Sequence, residues 1–260
     1  MTIQEMKTKY PINTMLHRRN AGTDYYYFVT GYVSETETQE KQLQLRMKGG
    51  TRIILLPESG LDQFDIFDMG LQIQQRNVDL KNMTYKKVAF TGHRPNKIGG
   101  YGRHNPARTF LRTKLKEICE YMIQNCGTRE FMQGMAQGID QDAGKVILQI
   151  IEERGEEEPI ALFAAVPYPS QESTWPNEAQ VYYRNMLDTI CDYDLGKIVY
   201  VHEDRPRNKW DAIKWLDERN HYMVDWCDLL IAVWNGTKGG TSNCIDYAKK
   251  VGKPILLLKI

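Results

Sequence analysis

The sequence predicts an α/β protein in which helices cover both faces of a doubly wound, mainly parallel sheet. From Lys87 onward, short apolar segments alternate with stretches of helical periodicity, and the connections between them are short. The clearest segment, residues 229–234, is continuously apolar, which is typical of a strand buried on both faces. These observations predict one sheet over residues 87–260, preceded by a small β-rich unit.

Each predicted strand of the sheet except the last is followed by a helix. The strands are predicted at residues 88–91, 130–132, 159–166, 197–201, 229–234 and 253–258. The helices are predicted near residues 109–124, 140–150, 178–190, 211–226 and 243–251, where apolar side chains recur at helical spacing.

The N-terminal residues 1–82 have a different pattern and are predicted to form a separate, antiparallel unit. Residues 25–33 are aromatic and β-prone, residues 42–47 alternate strictly between polar and apolar, and residues 52–56 have the pattern of another strand. One helix is predicted around residues 62–75. The polar stretch from residue 76 to residue 87 is predicted to be a linker.

Composition and charge exclude several classes of protein. The chain has 260 residues and a formal net charge of +1, which argues against a duplex-DNA binder held by bulk charge. No apolar run has membrane-spanning length and no signal peptide is evident, so a cytoplasmic protein without a membrane partner is expected. The five cysteines are scattered and form no CxxC pair, which predicts reduced thiols and no metal site. No cofactor is predicted.

Glycine, proline and polar residues concentrate where four of the predicted strands end. In a doubly wound sheet the ligand lies outside the carboxyl ends of the strands. The loop before residue 243 contains Gly239, Gly240 and Thr241, so backbone N–H groups and a helix N-terminus would face a ligand together. The sequence therefore predicts a phosphate-bearing ligand at this edge, and the alternative for the loop alone is a surface turn that needs glycine.

These motifs together resemble the YpsA-like branch of the SLOG superfamily. The resemblance covers residues 87–260 and rests on segments 92–95, 134–140, 218–220 and 239–241, with Trp175 and Gln180 between them. It implies a Rossmann-like fold. The superfamily includes the DNA-processing protein DprA, cytokinin-activating phosphoribohydrolases, and sensor domains proposed to bind nucleotides or nucleotide-derived signals. The N-terminal region lies outside the resemblance.

The resemblance also implies which residues contact the ligand. They are Gly92, His93 and Arg94 in the first loop, Gly134, Gly138 and Asp140 in the second, Trp175, the helical residues Arg219 and Asn220, and the phosphate-binding Gly239, Gly240 and Thr241.

Several of these residues have alternative roles. His93 is either a general base or phosphate ligand, or a histidine that caps a strand. Asp140 either approaches a sugar hydroxyl or stabilises a helix N-terminus. Trp175 either stacks on a base or anchors a loop. Arg219 and Asn220 reach the site only if their helix borders it.

One departure from the related enzymes concerns catalysis. The phosphoribohydrolases place a glutamate shortly after the Gly-Thr pair, but here Thr241 is followed by Ser242, Asn243 and Cys244. A neutral thiol does not replace a carboxylate that faces a cationic sugar. Glycosidase activity is therefore disfavoured. The carboxylates that could take the place of the missing glutamate in catalysis are Glu172, Glu178 and Asp246.

The motifs and the resemblance are compatible with three alternative functions. The first is a binding protein, a sensor or sequestering module, for a nucleotide or nucleotide-derived ligand. The second is an enzyme that cleaves or transfers at an N-glycosidic or phosphate bond of such a ligand. The third is single-stranded nucleic acid binding, as in DprA, for which a local basic groove is available from Arg94, Lys97, Arg103, His104 and Arg108. The sequence is compatible with a homo-oligomer.

Overall fold

A computed structural model of the chain describes residues 2–20, 23–33, 41–47, 51–66, 69–102, 105–155 and 158–260. The backbone forms two compact units, Met1–Met69 and Gly70–Ile260. The predicted groove residues Arg103 and His104 lie outside the described residues. Among the described residues, no helix combines the length and the apolar character needed to cross a membrane.

The first unit is an antiparallel sheet with one short helix. Its elements are α1 (Ile3–Lys9), β1 (Met15–Asn20), β2 (Thr23–Val33), β3 (Gln42–Met47), β4 (Ile53–Pro57) and β5 (Asp65–Ile66). The strand order is β4-β3-β2-β1-β5, and all neighbouring strands are antiparallel. The alternation of polar and apolar residues predicted for β3 puts Leu43 and Leu45 on one face of the strand. That face belongs to the core, where both side chains pack with Met6, Leu16 and Val29.

The predicted helix over residues 62–75 is wrong. The described residues there form the end of a 3-10 helix (Glu58–Gln63), β5, and a strand of the second unit, β6 (Gln72–Arg76). All five residues of β6 are exposed and most are polar, so neither an apolar run nor a buried face marked the strand in the sequence. The division between the units consequently falls at Met69 and Gly70, before the predicted boundary at residue 82.

The second unit is a seven-stranded sheet with helices on both faces, which confirms the predicted α/β, Rossmann-like, doubly wound fold. After β6 its elements are β7 (Lys87–Gly92), α2 (Pro106–Asn125), β8 (Glu130–Gln133), α3 (Ile139–Arg154), β9 (Ala161–Val166), α4 (Asn177–Asp192), β10 (Lys197–Tyr200), α5 (Lys209–Trp226), β11 (Leu229–Trp234), α6 (Gly240–Lys250) and β12 (Ile255–Lys259). The order is β10-β9-β8-β7-β11-β12-β6, and only β6 is antiparallel to its neighbour.

The strand order creates a topological switch point between β7 and β11. From β7 the chain moves outward through β8 and β9 to β10, whereas from β11 it moves in the opposite direction to β12. Right-handed crossovers then put α2, α3 and α4 on one face of the sheet and α5 and α6 on the other. The crevice where the two directions diverge is the expected ligand position in such a sheet.

The start of α3 packs very closely against the end of β7. A Cβ atom added to Gly92 would lie 2.5 Å from Cβ of Ile139, the first residue of α3. At the helix N-cap, Gly138 has φ +103°, and an added Cβ would collide with the carbonyl oxygen of His93. Both glycines are therefore required by contacts within the protein.

We expect Gly92→Ala to destabilise the second unit by about 1–3 kcal/mol, because an added methyl group overpacks this contact. All five tryptophans belong to residues 70–260, so tryptophan fluorescence during urea unfolding follows this unit. Gly102→Ala is the matched control, since an added Cβ at Gly102 has no neighbouring atom within 4 Å among the described residues. Equal unfolding midpoints for the two variants would contradict the close packing of α3 on β7.

Candidate functional site

A cleft of about 550 Å³ opens at the switch point, and we call it the switch-point cleft. Its walls are the segment after β7, the first turn of α3, one side of α5 and the first turn of α6. The lining residues are Thr91, Gly92, His93, Arg94, Asn96, Lys97, Ala136, Asp140, Ile213, Lys214, Leu216, Asp217, Arg219, Asn220, Gly239, Gly240, Thr241 and Asn243.

The N-terminus of α6 presents backbone N–H groups to the cleft. Gly239 is the N-cap, and the Ser242 hydroxyl accepts from its N–H and donates to its carbonyl, both at 2.8 Å. The first N–H groups of a helix have no acceptor within the helix, so those of Gly240 and Thr241 are available to a ligand. A Cβ atom added to Gly240 would meet open space. No contact in the part of the chain that the structure describes therefore requires glycine at position 240, which lines the cleft.

Lys97 brings a positive charge to the same place. Its Nζ donates to Thr237 Oγ1 at 2.7 Å and to the Lys238 carbonyl at 3.1 Å. The ammonium group would lie 3.7 Å from a Cβ atom added to Gly239. A cation is thus fixed beside the helix N-terminus, and both features favour an anion there.

His93 joins the two sides of the switch point. Its Nε2 lies 2.5 Å from Asn235 Oδ1 and 3.0 Å from the Asn235 backbone nitrogen. Asn235 Oδ1 also accepts from the N–H and hydroxyl of Thr237, and the Asn235 backbone N–H donates to His93 Nε2. The other ring nitrogen, Nδ1, lies 3.5 Å from the Thr241 hydroxyl. Burial lowers the pKa of His93, although its hydrogen bond with Asn235 opposes that shift. The ring is therefore neutral near pH 7.

A buried ion pair closes the floor of the cleft. Arg219, on α5, is 4% exposed, and its Nη1 donates to the Gly134 carbonyl and to Asp140 Oδ2, the latter at 3.3 Å. Burial raises the pKa of Asp140, while the charges of Arg219 and Arg94 oppose this shift. The Nε atom of Arg219 is buried and has no hydrogen-bond partner among the described residues.

Comparison with known proteins identifies the family of this chain. A family model for YpsA, the YspA SLOG family, matches residues 88–254. The chain belongs to this family. The match spans the switch-point cleft from β7 to α6, and it confirms the resemblance read from the motifs.

Two individual relatives share 30% and 21% sequence identity with the chain. The chain is 30% identical over 149 residues to the uncharacterized SPbeta prophage-derived protein YoqJ of Bacillus subtilis (strain 168), covering 56% of this chain and 84% of that protein. It is 21% identical over 169 residues to a UPF0398 protein of Bacillus thuringiensis (strain Al Hakam), covering 65% of this chain and 85% of that one.

Two solved structures of DNA processing protein A are similar to part of the chain. DprA from Streptococcus pneumoniae has 14% identity and a TM-score of 0.42 over 71% of this chain and 53% of that chain, so the match spans about half of that protein. DprA from Helicobacter pylori, described for its single-stranded DNA binding mode, has 18% identity and a TM-score of 0.43 over 71% of this chain and 69% of that chain.

Nine of the twelve ligand residues predicted from the SLOG motifs line the switch-point cleft. They are Gly92, His93, Arg94, Asp140, Arg219, Asn220, Gly239, Gly240 and Thr241. Arg219 and Asn220 reach it from mid-helix because α5 forms one wall. Gly134 and Gly138 are not among the lining residues, and a Cβ atom at Gly134 would collide with the Arg219 guanidinium.

Trp175 does not line the cleft either, although it supports a residue that does. Its ring is half-buried, lies edge-on to Tyr183 at 5.5 Å, and carries the Arg94 guanidinium 6.0 Å above its centre. The cation–π contact holds Arg94 at the rim of the cleft. Trp175 thus contacts Tyr183 and Arg94 outside the cleft lining, and the two roles predicted for it from the sequence stay predictions.

The three candidate catalytic carboxylates of this SLOG protein all lie outside the cleft lining. Asp246 has a side chain that is 70% exposed and pairs with Lys249 at 3.3 Å. Glu178 is exposed and lines a different groove. Glu172 is buried, its Oε1 accepts from Arg184 at 3.2 Å, and its Oε2 has no partner among the described residues.

Sequence reasoning missed the roles of two residues. Lys97 was assigned only to a basic groove, and Asn235 was not assigned to the site at all. Both follow predicted strand ends, which is the signal that could have identified them. Their partners, Thr237 and His93, are 140 and 142 residues away respectively, so the contacts themselves depend on β7 lying beside β11.

The lowered pKa of His93 predicts a pH-dependent stability of the second unit. As the pH falls through about 6.5, the unfolded chain takes up the proton before the folded chain does, so the free energy of unfolding decreases. His93→Gln removes this titration and should show a weaker decrease between pH 7.5 and pH 5. Urea unfolding followed by tryptophan fluorescence measures both proteins, and parallel pH profiles would contradict the assignment.

Proposed function

We propose that this protein binds a phosphate-bearing nucleotide or nucleotide-derived ligand in the switch-point cleft and acts as a sensor or sequestering module. The observation that carries the proposal is the N-terminus of α6, where open space lies in front of Gly240 and the Lys97 ammonium is fixed beside it. Backbone N–H groups, a helix dipole and a cation in one place are the features that bind a phosphate group.

The charge of the cleft supports an anionic ligand. Four cationic side chains line it, and the two carboxylates of Asp140 and Asp217 are the acidic members of the same lining, which leaves two positive charges in excess. Asp140 is already paired with Arg219. Lys214 forms an ion pair with Glu218 at 3.4 Å, so the uncompensated positive charge lies mainly with Arg94 and Lys97.

Size and lining support a ligand that is more than phosphate alone. A volume of about 550 Å³ falls within the range of about 300–1,000 Å³ typical of small-molecule sites. Ile213 and Leu216 add apolar surface from α5, and Asn220 adds an amide that can both donate and accept. An apolar wall beside a polar group suits a ring with hydrogen-bonding edges, such as a nucleobase.

Binding without turnover is favoured over the enzyme alternative. Cleavage of an N-glycosidic bond builds positive charge on the sugar carbon, which a carboxylate must stabilise. None of the candidates Glu172, Glu178 and Asp246 is among the residues that line the cleft. The enzyme alternative would have to use His93, whose neutral ring suits a general base, or the lining carboxylates Asp140 and Asp217.

Single-stranded nucleic acid is the second alternative ligand, because its backbone phosphate would use the same N–H groups and cations. The two ligands differ in how affinity depends on length and salt. Binding of a strand strengthens with the number of nucleotides and weakens steeply as salt increases. Calorimetry with adenosine monophosphate and with a ten-nucleotide oligothymidylate, at two salt concentrations, distinguishes them.

We expect Gly240→Asp to weaken nucleotide binding by about tenfold or more relative to Gly240→Asn, because only the aspartate places a negative charge against the ligand phosphate. The two side chains have the same shape, so the comparison separates charge from bulk.

Arg94→Ala should cost about 1.5–3 kcal/mol of binding free energy through loss of a charge-assisted contact.

These variants are measured by calorimetry with the small molecule that co-purifies with the protein, identified by mass spectrometry, or otherwise with adenosine monophosphate and ADP-ribose. An aspartate at the first turn of a helix is favourable for the helix itself, so thermal stability should be retained. Unchanged affinity in Gly240→Asp and Arg94→Ala, for a ligand that the parent protein binds, would refute the position of the site.

We expect the protein to return its ligand intact. It is incubated with nucleoside monophosphates, NAD and ADP-ribose, and the products are separated by chromatography to detect free base or sugar phosphate. No turnover is expected, because none of the three candidate carboxylates lines the cleft, and the two carboxylates that do, Asp140 and Asp217, lie beside Arg219 and His221. Turnover that is abolished by Asp246→Asn, Glu172→Gln or Glu178→Gln would overturn the binding function and identify the catalytic group.

A further inference from the structure

A second groove, of about 680 Å³, lies on the face of the sheet that carries α2, α3 and α4. We call it the α4 groove. It shares no lining residue with the switch-point cleft. Its charged lining residues are Arg108 and Arg112 on α2, Asp142 and Lys145 on α3, and Glu178 on α4.

The two arginines of the α4 groove converge on one carboxylate. Arg108 donates through Nε and Nη2 to Asp142 at 2.8 and 2.9 Å, and Arg112 Nη1 donates to the same carboxylate at 2.9 Å. Asp142 is only 2% exposed, whereas both guanidinium groups are partly exposed. One carboxylate therefore neutralises one of the two guanidinium charges. Lys145, one turn further along α3, is exposed and adds a positive charge, and Glu178 adds a negative one, so the lining has one positive charge in excess.

A helix N-terminus and two tyrosines complete the α4 groove. The N-terminus of α4 begins after Pro176, which provides no side-chain cap, and Asn177, Glu178 and Ala179 of its first turn line the groove. The Ala179 N–H donates to the Pro176 carbonyl at 2.9 Å, whereas the Asn177 N–H has no acceptor within the helix. Tyr101 is 62% exposed and Tyr182 is 41% exposed, so two aromatic surfaces stand beside the cations.

We propose that the α4 groove is a second ligand site, which binds the phosphate or pyrophosphate group of a small molecule between Arg112, Lys145 and the N-terminus of α4. A guanidinium with unused N–H groups suits a phosphate oxygen, and the tyrosines suit an apolar or ring-shaped remainder. The proposal is independent of the function assigned to the switch-point cleft, because the two sites are built from different residues.

The experiment titrates the full-length protein with inorganic pyrophosphate by calorimetry. The groove variants are Lys145→Glu and Arg112→Gln. Neither removes the two hydrogen bonds from Arg108 to Asp142, so the buried carboxylate keeps its partner. Gly240→Asp blocks the cleft alone. Lys250→Glu is the matched control, since it makes the same charge reversal at an exposed position on α6.

We expect Lys145→Glu and Arg112→Gln each to weaken pyrophosphate binding at one site by about tenfold, through loss of a charge-assisted contact. Gly240→Asp should retain that site, and Lys250→Glu should behave like the parent protein. If Gly240→Asp leaves all binding unchanged while the groove variants lose it, the groove proposal stands and the cleft proposal fails.

Three results would overturn the groove proposal. The first is loss of all pyrophosphate binding in Gly240→Asp, which would assign it to the cleft. The second is equal weakening in Lys145→Glu and Lys250→Glu, which would indicate nonspecific charge attraction. The third is weaker binding of a ten-nucleotide oligothymidylate by the groove variants with no change for pyrophosphate, which would make the groove a nucleic acid surface.

Discussion

The ion pair between Arg219 and Asp140 is the constraint on which the edge of the sheet that carries the switch-point cleft depends. Arg219 belongs to α5 and Asp140 to α3, helices that cover opposite faces of the sheet, so the pair spans its carboxyl edge. Both side chains are buried, and a buried charge is costly unless it has a partner. Each residue therefore fixes the other, and the carbonyl of Gly134 ties the loop between β8 and α3 to the same guanidinium.

The glycines of the motifs have two different roles at this edge of the sheet. Gly92, Gly134 and Gly138 permit parts of the protein to approach one another: Ile139 against β7, the Arg219 guanidinium, and the carbonyl of His93. Gly240 has no such neighbour, and the space that its missing side chain leaves is open to the cleft. A glycine required by packing preserves the geometry of the site, whereas one facing open space is available to a ligand. The motif alone does not distinguish the two, because both appear as glycine at a strand end.

The sequence predicted the parts of the fold that depend on local pattern. Buried strands such as Leu229–Trp234 are continuously apolar, and the loops after them concentrate glycine, so both could be read directly. The edge strand Gln72–Arg76 could not, because it is exposed and polar and is held by pairing with β12. Likewise, the contact of His93 with Asn235 requires β7 and β11 to be neighbours, and the order of strands is set by packing across the whole sheet.

The placement of charge bears on whether the cleft holds a ligand or cleaves it. A phosphate ester brings negative charge, which the excess cations and the N-terminus of α6 stabilise in the ground state. Glycosidic cleavage instead creates positive charge on the sugar, and the same cations would oppose it. Asp140 cannot compensate fully, since it is shared with Arg219, and Asp217 lies 3.6 Å from the His221 imidazole. This distribution of charge is the physical reason for proposing that the cleft holds a nucleotide intact.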